Sequence, residues 1–379
     1  MSKQKFMERL LDGVMVEWST LDDNKFVEIA NTSRRPVKAS SRISGKVPYY
    51  GANNVQDYVE GYTHDGEYVL IAEDGSASLD NYSIQWAADK FWANNHVHVL
   101  RGIGSLNSRF LYHYLQIVNF IPFLSGGERA KLTKARLVEI PIPIPPLPVQ
   151  KEIVRILDTF TELTAELTAE LTARKKQYHY YRDLLLTFEE GEVEWKTLGE
   201  VLIRTKGTNI TAGQMKELHK DGAPLKIFAG GKTIAFVNFE DIPEKNINIE
   251  PSIIVKSRGF IEFEYYDRPF SHKNEMWSYH SKNDEINIKF AYYFLKLNEP
   301  YFQNLGSKMQ MPQIATPDTD KFLIPIPSLS EQERIVAILD KFDALTTSIT
   351  EGLPREIELR QKQYEYYRNR LLSFPRQEA

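Results

Sequence analysis

IPIPPLPVQKEIVRILDTF, from Ile142 to Phe160, decides the architecture, because Ile324 to Phe342 repeats it at an offset of 182 with twelve of nineteen positions identical. A second block, Gln177 to Phe188, returns as Gln363 to Phe374 with eight of twelve positions identical, but the offset is now 186. The second copy is therefore four residues longer inside. Duplication on this scale predicts a tandem repeat with internal pseudo-twofold symmetry. In the first copy Ile153, Leu157, Phe160, Leu163, Leu167, Leu171, Tyr178, Tyr181 and Leu185 recur at helical spacings, the apolar stripe of a long amphipathic helix. Ile335, Leu339, Phe342, Leu345, Ile349, Ile357, Tyr364, Tyr367 and Leu371 repeat the stripe in the second. Roughly forty residues at ~1.5 Å rise make a rod of ~60 Å, whose stripe needs an equally long partner. The other copy is the obvious candidate. The proline-rich lead-ins are expected to stop any strand or helix from running through.

Between the two blocks the first copy reads TELTAELTAELTAR, a Leu-Thr-Ala-Glu tetrad stepping through Leu163, Leu167 and Leu171. Each tetrad adds ~6 Å of helix and ~40° of rotation, so the number of tetrads acts as a length setting. The corresponding TTSITEGLPREIEL contains Gly352 and Pro354. A break is expected there, with Pro354 opening the next helical segment.

Composition narrows the function. A chain of 379 residues, 42% hydrophobic and 12% aromatic, predicts two or more folded domains. It lacks cysteine, which removes disulfides, thiolate zinc sites, iron–sulfur clusters and cysteine nucleophiles. No apolar run is long enough for a bilayer, and MSKQKFMERLLDG lacks the h-region of a signal peptide, so a cytoplasmic protein without membrane contact is expected. The formal net charge of −4 decides little about partners.

The chain divides into four regions: a globular part over 1–147, a helical region over 148–190, a second globular part over 191–328 and a helical region over 329–379. VEWSTL at Val16–Leu21 recurs as VEWKTL at Val193–Leu198, and FMERLLDG resembles the end of the first long helix, as though the repeat were cut open within a helix. In the first globular part Gly66–Ala72 and His96–Leu100 read as strands and Asn107–Asn119 as a helix. In the second, Ser252–Lys256 and Phe260–Tyr265 read as strands and Ile288–Leu297 as a helix. Both parts mix strands and helices, an α+β class, yet their sequences diverge.

Catalytic motifs fail on inspection. Gly230-Gly231-Lys232-Thr233 resembles the end of a phosphate loop, but its first glycine would fall on Lys226. The Gly102 and Gly104 pair lacks the third glycine of a dinucleotide fingerprint, and no Asn-Pro-Pro-aromatic methyltransferase motif occurs. His96 and His98 alternate on one strand without a third ligand, so no metal site is assigned. Glu73-Asp74-Gly75 lacks the lysine partner of a nuclease metal motif and reads as a turn.

For DNA contact the expectation rests on loops that combine cations for phosphates with amides and aromatics for bases. In the first globular part these are Arg34, Arg35, Lys38, Tyr49, Tyr50, Asn53 and Asn54, with the turn carrying Gly126, Gly127, Arg129, Lys131 and Lys134. In the second they are Lys232, Thr233, Lys256, Arg258, His272 and Lys273, with Lys308, Gln310 and Gln313.

The IPIPPLPVQKEIVRILDTF and KKQYHYYRDLLLTF segments, the tetrads and their C-terminal counterparts resemble the DNA-specificity subunits of Type I restriction-modification systems. The tetrads point to the type IC branch. YYGANN, EYVLIAEDG, NNHVHVL, AGGKT, PSIIVKSRG and PFSHKNEMWSY resemble pieces of that family's target recognition domains. The resemblance implies two such domains joined by an antiparallel coiled coil of the two long helices. It also implies a non-catalytic subunit that binds a bipartite, asymmetric site on double-stranded DNA, one domain per half-site. The implied partners are two modification (methyltransferase) subunits and restriction subunits, with S-adenosylmethionine, ATP and magnesium held by those partners and no cofactor on this chain. The residues alone leave two other classes open, a single-chain nuclease or methyltransferase with an unrecognised site, and a coiled-coil adaptor that does not bind DNA.

Overall fold

The computed structural model describes residues 11, 13–126, 130–189, 191–231, 233–307 and 311–375. Two compact units result, Met1–Thr168 with Glu356–Ala379 and, separately, Ala169–Arg355. Each takes a share of both helical regions, whereas the sequence reading set those regions apart from the globular parts. The helix end expected at the start of the chain lies almost wholly outside the described residues.

In the first unit β1 (Glu17–Thr20), β2 (Val27–Ile29), β3 (Ser44–Tyr50), β4 (Val55–Val59), β5 (His64–Asp65), β6 (Tyr68–Ala72), β7 (Ile84–Ala87), β8 (Lys90–Ala93) and β9 (Val97–Gly102) precede α1 (Ser108–Leu115), α2 (Lys134–Leu137) and β10 (Pro141–Ile144). They form an antiparallel sheet in the order β2-β9-β6-β7, a second sheet β4-β3-β8-β5, and a ribbon β1-β10. Every residue of β6 is buried, and Phe110, Leu111 and Leu115 of α1 close the core against it. Asn107 caps α1 by accepting from the Phe110 amide at 2.9 Å. The helix stops at Leu115, short of the expected Asn119, because the amides of Ile117 and Val118 turn back to Tyr114 and Leu115.

The lead-in admits a strand over its first two prolines, which the sequence reading did not foresee, but neither that strand nor the helix runs through Pro145 and Pro146. The Ile140 carbonyl accepts from the Leu21 amide, so the alternate residues Ile142 and Ile144 carry the ribbon's bonds and bury their side chains. Pro141 and Pro143 then fall at the positions that form no ribbon bond, where an amide is not needed. A helix, α3 (Leu147–Leu185), comes next and runs 39 residues without a break.

The second unit repeats the plan. It contains β11 (Glu194–Thr197), α4 (Leu198–Val201), β12 (Leu202–Thr205), α5 (Ala212–Leu218), β13 (Leu225–Phe228), β14 (Ile234–Val237), β15 (Ser252–Lys256), β16 (Glu262–Tyr266), β17 (Phe270–His272) and β18 (Trp277–Ser281). After these come α6 (Ile288–Leu297), α7 (Glu299–Gly306), α8 (Thr316–Asp320), β19 (Leu323–Ile326) and α9 (Leu329–Thr347). Its sheets are β12-β18-β15-β16, β14-β13-β17 and β11-β19. β13 runs parallel to β17 as β3 does to β8. The two units therefore share the order of the larger antiparallel sheet, the ribbon and the parallel pair where their sequences differ, the second unit lacking a counterpart of β5 in its second sheet.

The helical stripe is buried within each unit by the other copy. In the first, Phe160 stacks on Tyr367 at 5.2 Å, and Ile153 and Leu157 are buried with Leu371. The Trp18 indole donates to the Pro375 carbonyl at 3.3 Å, which puts the chain end beside the ribbon that feeds α3 and makes the pairing antiparallel. In the second, Tyr181 stacks on Phe342 at 5.7 Å with Tyr178 beside it, and Ile335 and Leu339 are buried. Leu163, Leu167, Leu171 and Leu345 are half-buried. Ile349 was expected on the stripe but is 79% exposed, because α9 ends at Thr347. The next helix, α10 (Gly352–Leu371), starts where φ is +80° and a Cβ would lie 2.4 Å from the Ala344 carbonyl oxygen, so only glycine fits the break. Pro354 lies in its first turn.

Candidate nucleic-acid interface

Equivalent loops carry the expected contact residues in the two units. The YYGANN turn links β3 to β4, and the AGGKT turn links β13 to β14. Behind them, the loop after β6 pairs with the segment ending at Leu132, whose amide donates to Glu73 O at 2.7 Å. The loop after β15 likewise pairs with Ile314, whose amide donates to Ser257 O at 3.0 Å. Asp74 faces Lys131 in the first arrangement and Arg258 faces Gln313 in the second. Similar backbones thus present different chemistry.

In the first unit the structure brings Arg34, Lys131 and Asn53 together around the loop that succeeds β6. Arg34 Nη1 donates to Glu73 Oε2 and to the Val97 carbonyl, both at 2.7 Å, and Lys131 Nζ lies 3.1 Å from Glu73 Oε1. Burial would raise the Glu73 carboxyl, but hydrogen bonds from Arg34 and Lys131 outweigh it and hold Glu73 below the usual range. Asn53 donates to the Gly75 carbonyl and accepts from the Ala77 amide, each at 2.8 Å, which ties the two loops together. Gly126 follows Ser125, whose amide and carbonyl both bond to Lys131. Arg35, Lys38, Asn54 and Lys134 are exposed.

Several expected contacts are corrected. Tyr49 is buried, stacked on Trp92, with its hydroxyl accepting from the Val37 amide at 3.0 Å. Tyr50 is half-buried and packs edge-on against Phe91. Lys256 is 8% exposed and held between Glu262 and Glu264. Burial opposes its charge, but those carboxylates outweigh it and raise the ammonium above its ordinary value. His272 is fully buried, its Nδ1 facing the Lys273 carbonyl and its Nε2 accepting from Thr205 Oγ1. Lys273 pairs with Glu275 at 2.9 Å. In this unit Thr233 and Arg258 stay exposed and Gln313 half-buried. Gly127, Arg129, Lys232, Lys308 and Gln310 lie outside the described residues.

The two histidines considered as metal ligands do not share a site. His96 precedes β9 and pairs with Asp74 at 2.5 Å, while His98 is buried with its Nε2 on the Leu132 carbonyl at 2.7 Å. Burial lowers the His98 imidazole below its ordinary range. Among the described residues no three metal-ligating side chains come together, and no helix is long and apolar enough to cross a membrane.

One polar feature was not foreseen. A cleft of about 550 Å³ in the second unit is lined by Arg204, Lys206, Asn209, Lys245, Asn246 and Asn274, among others. The only local signal was the Lys206-Gly-Thr-Asn209 turn. Arg204 stands two residues before it, but Lys245, Asn246 and Asn274 arrive from distant segments, so no window of sequence contains the set.

The family model of the Type I restriction modification DNA specificity domain matches the sequence twice, over residues 15–174 and 191–359. A putative type I restriction enzyme specificity subunit of Haemophilus influenzae is 48% identical, the alignment covering 98% of this chain and 99% of that protein. The EcoR124I/EcoR124II type I restriction enzyme specificity subunit of Escherichia coli is 34% identical, with 100% and 99% covered. Among solved structures, the S subunit of a type I restriction-modification system from M. genitalium superposes with a TM-score of 0.69 at 16% identity, covering 97% of this chain and 98% of that one. That last likeness is one of fold.

Proposed function

The chain belongs to the Type I restriction modification DNA specificity family and is the specificity subunit of such a system, and we propose that it reads a bipartite, asymmetric sequence in double-stranded DNA, one half-site per globular domain. The observation that carries this reading is the pair of domains with a shared sheet order and unlike loops, Asp74 and Lys131 in one standing where Arg258 and Gln313 stand in the other. Identical loops would select a symmetric sequence. Different loops on like backbones select an asymmetric one.

A specificity subunit recognises rather than catalyses, and its system includes other subunits. We assign methyl transfer from S-adenosylmethionine to two modification subunits docked on this chain, and ATP- and magnesium-dependent restriction to further subunits. The Leu-Thr-Ala-Glu tetrads support the type IC branch, and the setting of this chemistry is the cytoplasm. The test is random-site selection by gel shift, with the chain alone and with its modification subunit. Two specific sequence blocks at a fixed spacing are expected in the selected DNA. A single block, or none, overturns the bipartite reading. Methylation or cleavage of DNA by the chain alone, supplied with S-adenosylmethionine or magnesium, would replace it with an enzyme.

A further inference from the structure

The cleft of the second unit has a braced frame and exposed cationic tips. Its floor includes Trp277, buried, with its indole donating to Thr319 Oγ1 at 3.1 Å. One wall is the turn from Lys206 to Asn209. Gly207 lies so close to the end of β17 that a Cβ would sit 2.4 Å from the Lys273 carbonyl oxygen. Beside it the Thr208 amide donates to the His272 carbonyl at 2.7 Å. Asn246 Nδ2 donates to Thr208 Oγ1 at 3.1 Å, which fastens this wall to the turn that presents Lys245. The backbone is thus set before any ligand arrives.

The lining contains three cations and no carboxylate. Arg204 is shared with Asp320 at 3.2 Å, but Lys206 and Lys245 are exposed and form no ion pair among the described residues. Two like charges beside Asn209 and Asn274, whose amides both donate and accept, suit a polyanion that also offers hydrogen-bonding edges. DNA is such a ligand.

Resting on the specificity-subunit reading, we propose that this cleft holds and reads the half-site of the second domain. Lys206 and Lys245 grip phosphates, and Asn209 and Asn274 meet base edges. In this assignment the side chains of Lys256 and His272 do not read the DNA, because they are committed to internal bonds.

The experiment uses the reconstituted complex with its modification subunit, measuring DNA affinity against salt and mapping methylated sites by sequencing. Lys206→Glu with Lys245→Glu should weaken binding tenfold or more and flatten the salt dependence by a slope of about 2, one unit per lost phosphate contact. Asn209→Ala and Asn274→Ala should relax the sequence preference in one half-site and leave the other unchanged. Lys216→Glu, the same charge change at an exposed residue that does not line the cleft, should do neither. Co-purification with the modification subunit and the melting curve report folding. An unchanged slope in the double variant, an equal loss in Lys216→Glu, or asparagine variants with both half-sites intact overturns the assignment while leaving the specificity reading standing. A parental complex that methylates at no defined sequence overturns both.

Discussion

Gln332 is fully buried and makes three bonds at the start of α9. Its Oε1 accepts from the Asn287 amide at 2.8 Å, and its Nε2 donates to the carbonyls of Glu285 and Pro327. Gln150 does the same in the first unit with Asn107, Ser105 and Pro145. Each glutamine therefore joins a long helix to the cap of the helix that covers its sheet. Gln332→Leu keeps the volume but strands a buried amide and two carbonyls, so the second unit should lose about 1–3 kcal/mol, read as a lower urea midpoint. An unchanged midpoint would show that water replaces the side chain. A second residue-scale prediction concerns acid. Burial holds His98 and His272 below the ordinary value of 6.5, so the unfolded chain takes up protons that the folded chain refuses. Their contribution is whole above that value and is lost as pH falls through it toward the lower folded values. Melting temperature should drop between about pH 7.5 and about pH 5.5, and His98→Gln with His272→Gln should flatten that drop. A flat parental profile sinks the argument.

At the scale of elements, α3 is continuous through the tetrads, while its counterpart is broken between Thr347 and Gly352. Residues before and after the tetrads belong to different compact units, the division falling at Thr168. One more Leu-Thr-Ala-Glu after Leu171 adds ~6 Å of helix and rotates the remaining turns by only ~40°, so the apolar stripe survives. At ~3.4 Å per base pair, the methylated half-sites should move one or two base pairs apart with their sequences unchanged, the smaller shift being favoured because the paired helix keeps its length. Two inserted residues rotate the stripe by ~200° and should destroy the packing of Tyr178 and Tyr181 on Phe342. Methylation-site mapping of both variants decides. Parental spacing in the four-residue variant would reduce the tetrads to filler.

For the whole molecule, the two units share most of their sheet order while their loops differ, so exchanging residues 18–140 for the same region of a relative should change one half-site and leave the other. The helices that complete the core of the first unit stay in place, including Ile153, Leu157 and Leu371, which such a swap must find compatible partners for. Site mapping of the hybrid that shows both half-sites altered, or neither, would break the correspondence between domain and half-site.

Periodicity and turn chemistry are local, and the features that depend on them were legible in the chain. The stripes of Ile153 to Leu185 and Ile335 to Leu371 announced two long helices, Gly352 and Pro354 the break, and the duplicated IPIP and YYR segments the repeat. Strand Ser252–Lys256 and helix Ile288–Leu297 were found to the residue. The state of individual cations was not legible. Lys256 and Lys206 look alike in sequence, but sheet register sets Lys256 directly opposite Glu262, whereas Lys206 comes just after the last residue of β12 and faces solvent. The prolines of the lead-in were compatible with a strand only because the ribbon is bonded along one side. Pairing between distant segments decided these cases, and that information resides in the register of one strand against another.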